Sequence, residues 1–168
     1  TALATLPGLG RLRIGSIEPG TVEREVIAQM AECPTICRFL HLPIQSGDDG
    51  ILQRMGRRYG LATLRDTLAE LRADVPELAL GTDLITGLPG EDEQAFEQTR
   101  QLLQAFPFAN LHVFPYSPRP GTRAAGMPGR PPAAVARSRA RQLRAIGAAS
   151  RARFAAGWVG QPVEVLVE

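Results

Sequence analysis

The sequence contains no lysine, so all 19 of its basic side chains are arginine. Its positive charge therefore sits on planar guanidinium groups, which stay protonated and fork onto carboxylates and phosphates. Cysteine is scarce, two in 168 residues, which excludes a disulfide framework and suits a reducing compartment. No apolar run approaches the roughly 20 residues of a membrane-spanning helix, so a cytoplasmic protein with no membrane partner is expected. There is no P-loop, no GxSxG and no GxGxxG, which leaves phosphoryl transfer and serine hydrolysis without support. Acidic residues are missing altogether from 98–163.

What is present describes a globular chain with enough apolar residues, 44%, to bury a core, and 21% charged residues. The net charge of +2 hides an asymmetry. Residues 1–97 hold fifteen acids and nine arginines, whereas 98–163 hold ten arginines and no acid. A stretch of one sign points to an anionic partner, to an acidic neighbouring surface or to a solvated arginine-rich helix face.

Periodicity predicts alternating strands and helices. Strands are expected over 11–17, 38–44, 78–86 and 110–116. Helices are expected from a Thr21 cap to residue 31, over 50–55, from 61 to just before Pro76, over 93–105 and over 133–156. Residues 1–6 read as the tail of a helix, which suggests a fragment of a longer protein. Residues 162–167 read as the first strand of something further. Strands separated by helices imply parallel pairing through right-handed crossovers, so the fold class is α/β. About four βα units would form a half-barrel or a small open sheet, whose exposed edges favour pairing with another copy.

In such a sheet the turns after the strands share one edge, where ligands bind. That edge would gather Glu18, Gln45, Ser46, the Gly87-Leu88-Pro89-Gly90-Glu91 turn and Tyr116. Gln45 and Ser46 both donate and accept, as a ribose requires. Arg57 or Arg58 can clamp a carboxylate. Glu18 can take an ammonium or hydroxyl, Tyr116 a purine, and the glycines admit a ligand close to the backbone. Turn capping is the competing role for each. Cys33 and Cys37 begin a Cys-x3-Cys-x2-Cys pattern, but Leu40 stands at the third position, so they read as buried or incidental thiols. His41 and His112 sit inside apolar strands and read as satisfied core or sheet-face histidines.

Five motifs occur in order: Ser16-Ile17-Glu18-Pro19, His41-Leu42-Pro43-Ile44-Gln45-Ser46-Gly47, Met55-Gly56-Arg57-Arg58-Tyr59, Thr82 through Glu91, and Phe114-Pro115-Tyr116-Ser117-Pro118-Arg119-Pro120-Gly121-Thr122. Together they resemble the radical S-adenosylmethionine methylthiotransferases over nearly the whole chain. The resemblance is strongest to the branch acting on threonylcarbamoyladenosine in tRNA. The isopentenyladenosine branch comes next and the ribosomal-protein branch third.

The resemblance implies a partial (βα) barrel over 1–156, which binds S-adenosylmethionine and a 4Fe-4S cluster, followed over 157–168 by a linker and the first strand of a TRAM-like RNA-binding β-barrel. It implies tRNA as partner. It makes Gly87, Pro89, Gly90 and Glu91 the strand-five cofactor motif, places Gln45 and Ser46 near the ribose or methionine, and makes Arg57 the candidate for the cofactor carboxylate. Glu18 and Tyr116 would line the same crevice, with the arginine-rich 98–163 near RNA. The cluster motif, the N-terminal domain with its second cluster and the first two barrel strands are all missing from the sequence. Asp92 and Leu88 stand where Thr and Phe are usual. The chain alone is therefore expected to be inactive, either a piece of such an enzyme or an RNA-binding half-barrel.

Overall fold

A computed structural model describes residues 2–164. Three parallel strands, β1 (Phe39–His41), β2 (Ala79–Thr86) and β3 (Asn110–Pro115), form a sheet in the order β1-β2-β3. His41 pairs with Gly81, Asp83 with His112 and Thr86 with Pro115. Five α-helices accompany them: α1 (Arg24–Glu32), α2 (Asp49–Arg54), α3 (Leu61–Asp74), α4 (Glu93–Ala105) and α5 (Ala133–Ala156).

The two-residue period of β2 assigns its faces. Leu80, Thr82, Leu84 and Thr86 are buried on the helix side, while Asp83 and Ile85 are half-buried on the other. The core lies under the helices, where Leu40, Leu64, Leu68, Leu84, Phe96 and Leu143 belong to one cluster. Helix starts follow local chemistry: Asp48 caps α2 through Ile51 N at 2.8 Å, and Asp92 caps α4 through Ala95 N at 2.8 Å.

Several expectations are corrected. Residues 11–17 form no strand but touch the sheet through single parallel bridges, Leu12 to Ile36 and Ser16 to His41. Gly15 lies between these bridges, and glycine weakens strand pairing. The strand expected over 38–44 shrinks to three residues because the chain bulges after Leu42: Leu42 N donates to Gly81 O, Ile44 N turns to Thr82 Oγ1, and the next donor to the β2 backbone is Gln45 N to Asp83 O, three residues on against two in β2. The sheet thus has three strands rather than four. Thr21 does not cap the first helix. It ends a 3-10 turn, Pro19–Thr21, with its hydroxyl donating to Glu18 O at 2.9 Å, and Glu23 takes the cap position of α1. Residues 2–5 are turns, not helix. Of the strand expected over 162–167, residues 162–164 are irregular and exposed, and 165–167 lie outside the described residues.

Helices seat on bare backbone at the turns. A Cβ at Gly47 would stand 2.6 Å from Thr99 Cα of α4, and Gly47 N donates to Thr99 Oγ1 at 2.9 Å. Gly10, by contrast, has nothing within 4 Å. Gly47→Ala is expected to lower unfolding free energy by about 1–3 kcal/mol in urea denaturation, as overpacking does, with Gly10→Ala near neutral.

Candidate functional site: a cleft at the strand ends

The carboxyl ends of β2 and β3, with the turn after β1, meet at one cleft of about 710 Å³. Gln45, Asp83, Ile85, Leu88, Phe114 and Tyr116 form its floor and near wall. Met55, Arg119, Arg123 and Met127 close in from the α2 end and from the loop after β3. Apolar surface from Ile85, Leu88 and the methionines lies beside a few polar groups, the make-up of a small-molecule site.

Backbone bonds fix the rim. Gln45 N donates to Asp83 O at 2.8 Å and Ile85 N to Gln45 O at 2.9 Å, while Tyr116 N donates to Thr86 O at 2.7 Å. Gln45 holds φ at +74°, a left-handed conformation that side-chain-bearing residues seldom adopt. Tyr116 is half-buried, and its hydroxyl oxygen is buried without a hydrogen-bond partner. A buried hydroxyl left unpaired costs about 1–3 kcal/mol, so a ligand able to meet it would gain by binding.

The other residues expected at the rim divide into two groups. The Gly87–Glu91 turn lies directly beside the cleft, but its polar groups face inward. Gly87 N donates to Glu91 Oε2 at 2.6 Å, and Arg139 of α5 donates to Glu91 Oε1 and to the Glu91 carbonyl at 2.9 Å each. Both side chains are under a tenth exposed. Glu91 is thus a positioning residue for the turn. Gly87 has φ +80°, and a Cβ there would collide with Ala136 of α5. Gly90 has φ +87°, with the Arg54 guanidinium over it, and Pro89 is buried between them.

Ser46 is buried, and its hydroxyl accepts from Asp48 N at 3.2 Å. Glu18 and Arg57 satisfy each other at 2.9 Å and lie outside the cleft lining. Beside them Tyr59 donates to Ile44 O at 2.9 Å. Burial pushes its phenol up to about 12, with Arg57 opposing and Glu18 reinforcing the shift.

Sequence reasoning missed one constellation. On the open face of the sheet Asp83 lies within ion-pair distance of His41 Nε2, at 3.1 Å, and of His112 Nδ1, at 3.2 Å, so the three side chains span all three strands. Asn110 Nδ2 approaches His112 Nε2 at 3.1 Å, which fixes the ring's tautomer if the amide donates. The histidines are sheet-face residues, as expected, but the carboxylate beside both comes from the neighbouring strand. Parallel register supplies the missing signal, since Asp83 and His112 are direct partners. Cys33 and Cys37 are free and half-buried, and among the described residues no group of three or more His, Cys, Asp or Glu is placed to hold a metal ion.

Burial raises the Glu91 carboxyl from its ordinary value, against the opposing pull of the Gly87 N–H and Arg139. A carboxyl raised in the folded state favours folding most below its unfolded pKa, and that contribution is lost as pH rises through the folded value. Removing Arg139 leaves the carboxylate buried with one strong donor fewer, a loss of about 3–5 kcal/mol for a buried pair. Arg139→Met is therefore expected to unfold at markedly lower urea at pH 7, with the deficit shrinking toward pH 5.

The model of the Radical SAM superfamily matches residues 3–103. The chain is 39% identical over 166 residues to the tRNA-2-methylthio-N(6)-dimethylallyladenosine synthase of Nitratidesulfovibrio vulgaris, covering 99% of this chain and 37% of that protein. Proteins of the same name from Corynebacterium diphtheriae and Bifidobacterium longum are 38% and 40% identical, again across 99% of this chain but 32% and 34% of theirs. The chain thus spans about a third of the length of these curated relatives. Among solved structures, the radical SAM enzyme coproporphyrinogen III oxidase (HemN) of Escherichia coli superposes with a TM-score of 0.65 at 19% identity, covering 83% of this chain and 32% of that one. The fold is accordingly that of a partial radical SAM barrel, open rather than closed. With more than half its length matched by the superfamily model and its strand ends converging on one cleft, the chain belongs to the radical SAM superfamily.

Proposed function

We propose that this chain is the C-terminal part of the catalytic barrel of a tRNA methylthiotransferase, and that its cleft holds the nucleoside end of S-adenosylmethionine. The observation that carries the cofactor reading is the cleft itself. Its volume suits a nucleoside, Ile85 and Leu88 offer apolar surface for a purine, and the unpartnered Tyr116 hydroxyl, Asp83 and the Gln45 side chain, whose Nε2 reaches Pro43 O at 3.4 Å, are among the polar groups of the lining. The Gly87–Glu91 turn and Arg139 act by holding that wall in place.

When bound and reductively cleaved, S-adenosylmethionine supplies a radical that opens a C–H bond of the substrate. The chain's own residues bind and orient it and exclude water from one side. A 4Fe-4S cluster needs a set of thiolates that the described residues do not offer, so we assign its ligands to a part of the protein outside this chain, and no step is drawn through it.

The substrate is read as an N6-substituted adenosine of tRNA in the cytoplasm. Sequence motifs alone rank threonylcarbamoyladenosine first. Relatives at 38–40% identity bear the dimethylallyladenosine name and move that substrate ahead. The TRAM-like assignment of 157–168 belongs to the same proposal.

Two measurements test it. In the full-length protein, Tyr116→Phe is expected to weaken S-adenosylmethionine binding several-fold by calorimetry, in line with the loss of about one hydrogen bond. Gln45→Gly should weaken it too without loss of stability, because glycine relieves the left-handed backbone. Unchanged affinity in both variants would remove the cofactor from this cleft. Mass spectrometry of tRNA nucleosides from cells lacking the gene is expected to show loss of 2-methylthio-N6-dimethylallyladenosine. Loss of the threonylcarbamoyl product instead would restore the first ranking, and loss of neither would refute the enzymatic reading.

A further inference from the structure

Apart from Arg139, which holds the Gly87–Glu91 turn, the arginines of α5 take no part in the cleft. This helix buries Ala136, Arg139, Ala140, Leu143, Gly147 and Ser150 against the body of the protein. At 3.6 residues per turn, Arg137, Arg141, Arg144 and Arg151 fall within roughly 80° of arc beside that buried side, and at 1.5 Å per residue they extend over about 21 Å. All four are exposed. None has a carboxylate within ion-pair distance among the described residues.

The stripe has a definite place in the fold. Arg137 follows Ala136, which abuts the Gly87 turn beside the cleft. Arg144 Nη2 reaches the Val113 carbonyl at 2.5 Å, which sets the stripe on the β3 side of the helix. Arg151 follows Ser150, which shares a groove with Leu78 and Leu80 at the far end of β2. A row of fixed cations thus descends from the cleft along the length of the sheet.

A single small anion would need convergent donors, and these are strung out in line. Their forked, permanently charged heads suit successive phosphates, and Ala145 and Ala148 between them leave room for a bulky chain. We propose that Arg137, Arg141, Arg144 and Arg151 form a docking surface for the sugar–phosphate backbone of RNA. The identity of that RNA rests on the function proposed above, whereas the surface itself does not.

The test uses the full-length protein, unmodified tRNA and filter binding across a salt series. The variant Arg137→Gln/Arg141→Gln/Arg151→Gln keeps Arg144 on its carbonyl, and Arg153→Gln, an exposed arginine roughly opposite the stripe, serves as control. Matching circular dichroism and melting curves establish that both variants fold. The triple variant is expected to bind about ten-fold or more weakly near 0.1 M salt, with the slope of log K against log salt shallower by about 2–3, while Arg153→Gln changes affinity less than about two-fold.

An unchanged slope in the triple variant overturns the proposal, including the case in which that variant loses binding to polyglutamate, which would make the stripe a contact for an acidic protein. A reduced slope together with no methylthio nucleoside in cells would refute the enzymatic reading and leave the docking surface standing. Normal product with an unchanged slope would do the reverse.

Discussion

A buried ion pair fastens α5 to the turn after β2. Arg139 grips both the carboxylate and the carbonyl of Glu91, and the same carboxylate holds the Gly87 N–H. Two segments 48 residues apart in sequence are thereby set by one group of atoms. Burying these charges is costly, and the cost is offset by the bonds they make: Arg139 also reaches Glu93 Oε2 at 3.0 Å, although its Nε is left without a partner. The arrangement therefore resists partial change. Gly87 can follow the turn because it has no Cβ to strike Ala136, and Leu88, one residue on, is delivered to the cleft wall. The shape of the cleft follows from an interaction that never touches a ligand.

Around that fixed turn the cleft keeps unsettled chemistry. Gln45 is held left-handed by two backbone bonds to β2, and the Tyr116 hydroxyl is buried unpaired. Both are costs to the folded chain, and a partner that hydrogen-bonds the Tyr116 hydroxyl would offset the second. On the open face, in contrast, Asp83 lies between His41 and His112 at ion-pair distance from each. The sheet is laced from strand to strand by side chains at the point where its backbone ladder is shortest.

Much of this was legible in the sequence, and the failures have physical causes. Leucines spaced by three and four announce α3, and the apolar run ending in Gly-Leu-Pro-Gly announces β2 and its turn. Gln45, Leu88 and Tyr116 do meet at one cleft, because parallel strands must end along one edge. Side-chain direction is what a linear reading cannot supply. Glu91 looked like a ligand-facing acid, but its partner Arg139 lies 48 positions away. Glu18 and Arg57, read as two separate hands for a cofactor, hold each other. Residues 11–17 have the composition of a strand but lack the continuous ladder that makes one. Asp83 was passed over because its histidines sit on other strands.

The bond from Arg144 to the Val113 carbonyl has a consequence for the free edge of the sheet. The outer side of β3 pairs with no strand among the described residues, and an unpaired strand is a template on which foreign strands can grow. A guanidinium laid over its middle acceptor removes one site of recognition and places a charge in the path of any incoming chain. The bridges from Leu12 and Ser16 shield the opposite flank with backbone instead. The two flanks of the sheet thus differ, one carrying a charge that salt screens and the other met by a segment of the chain itself.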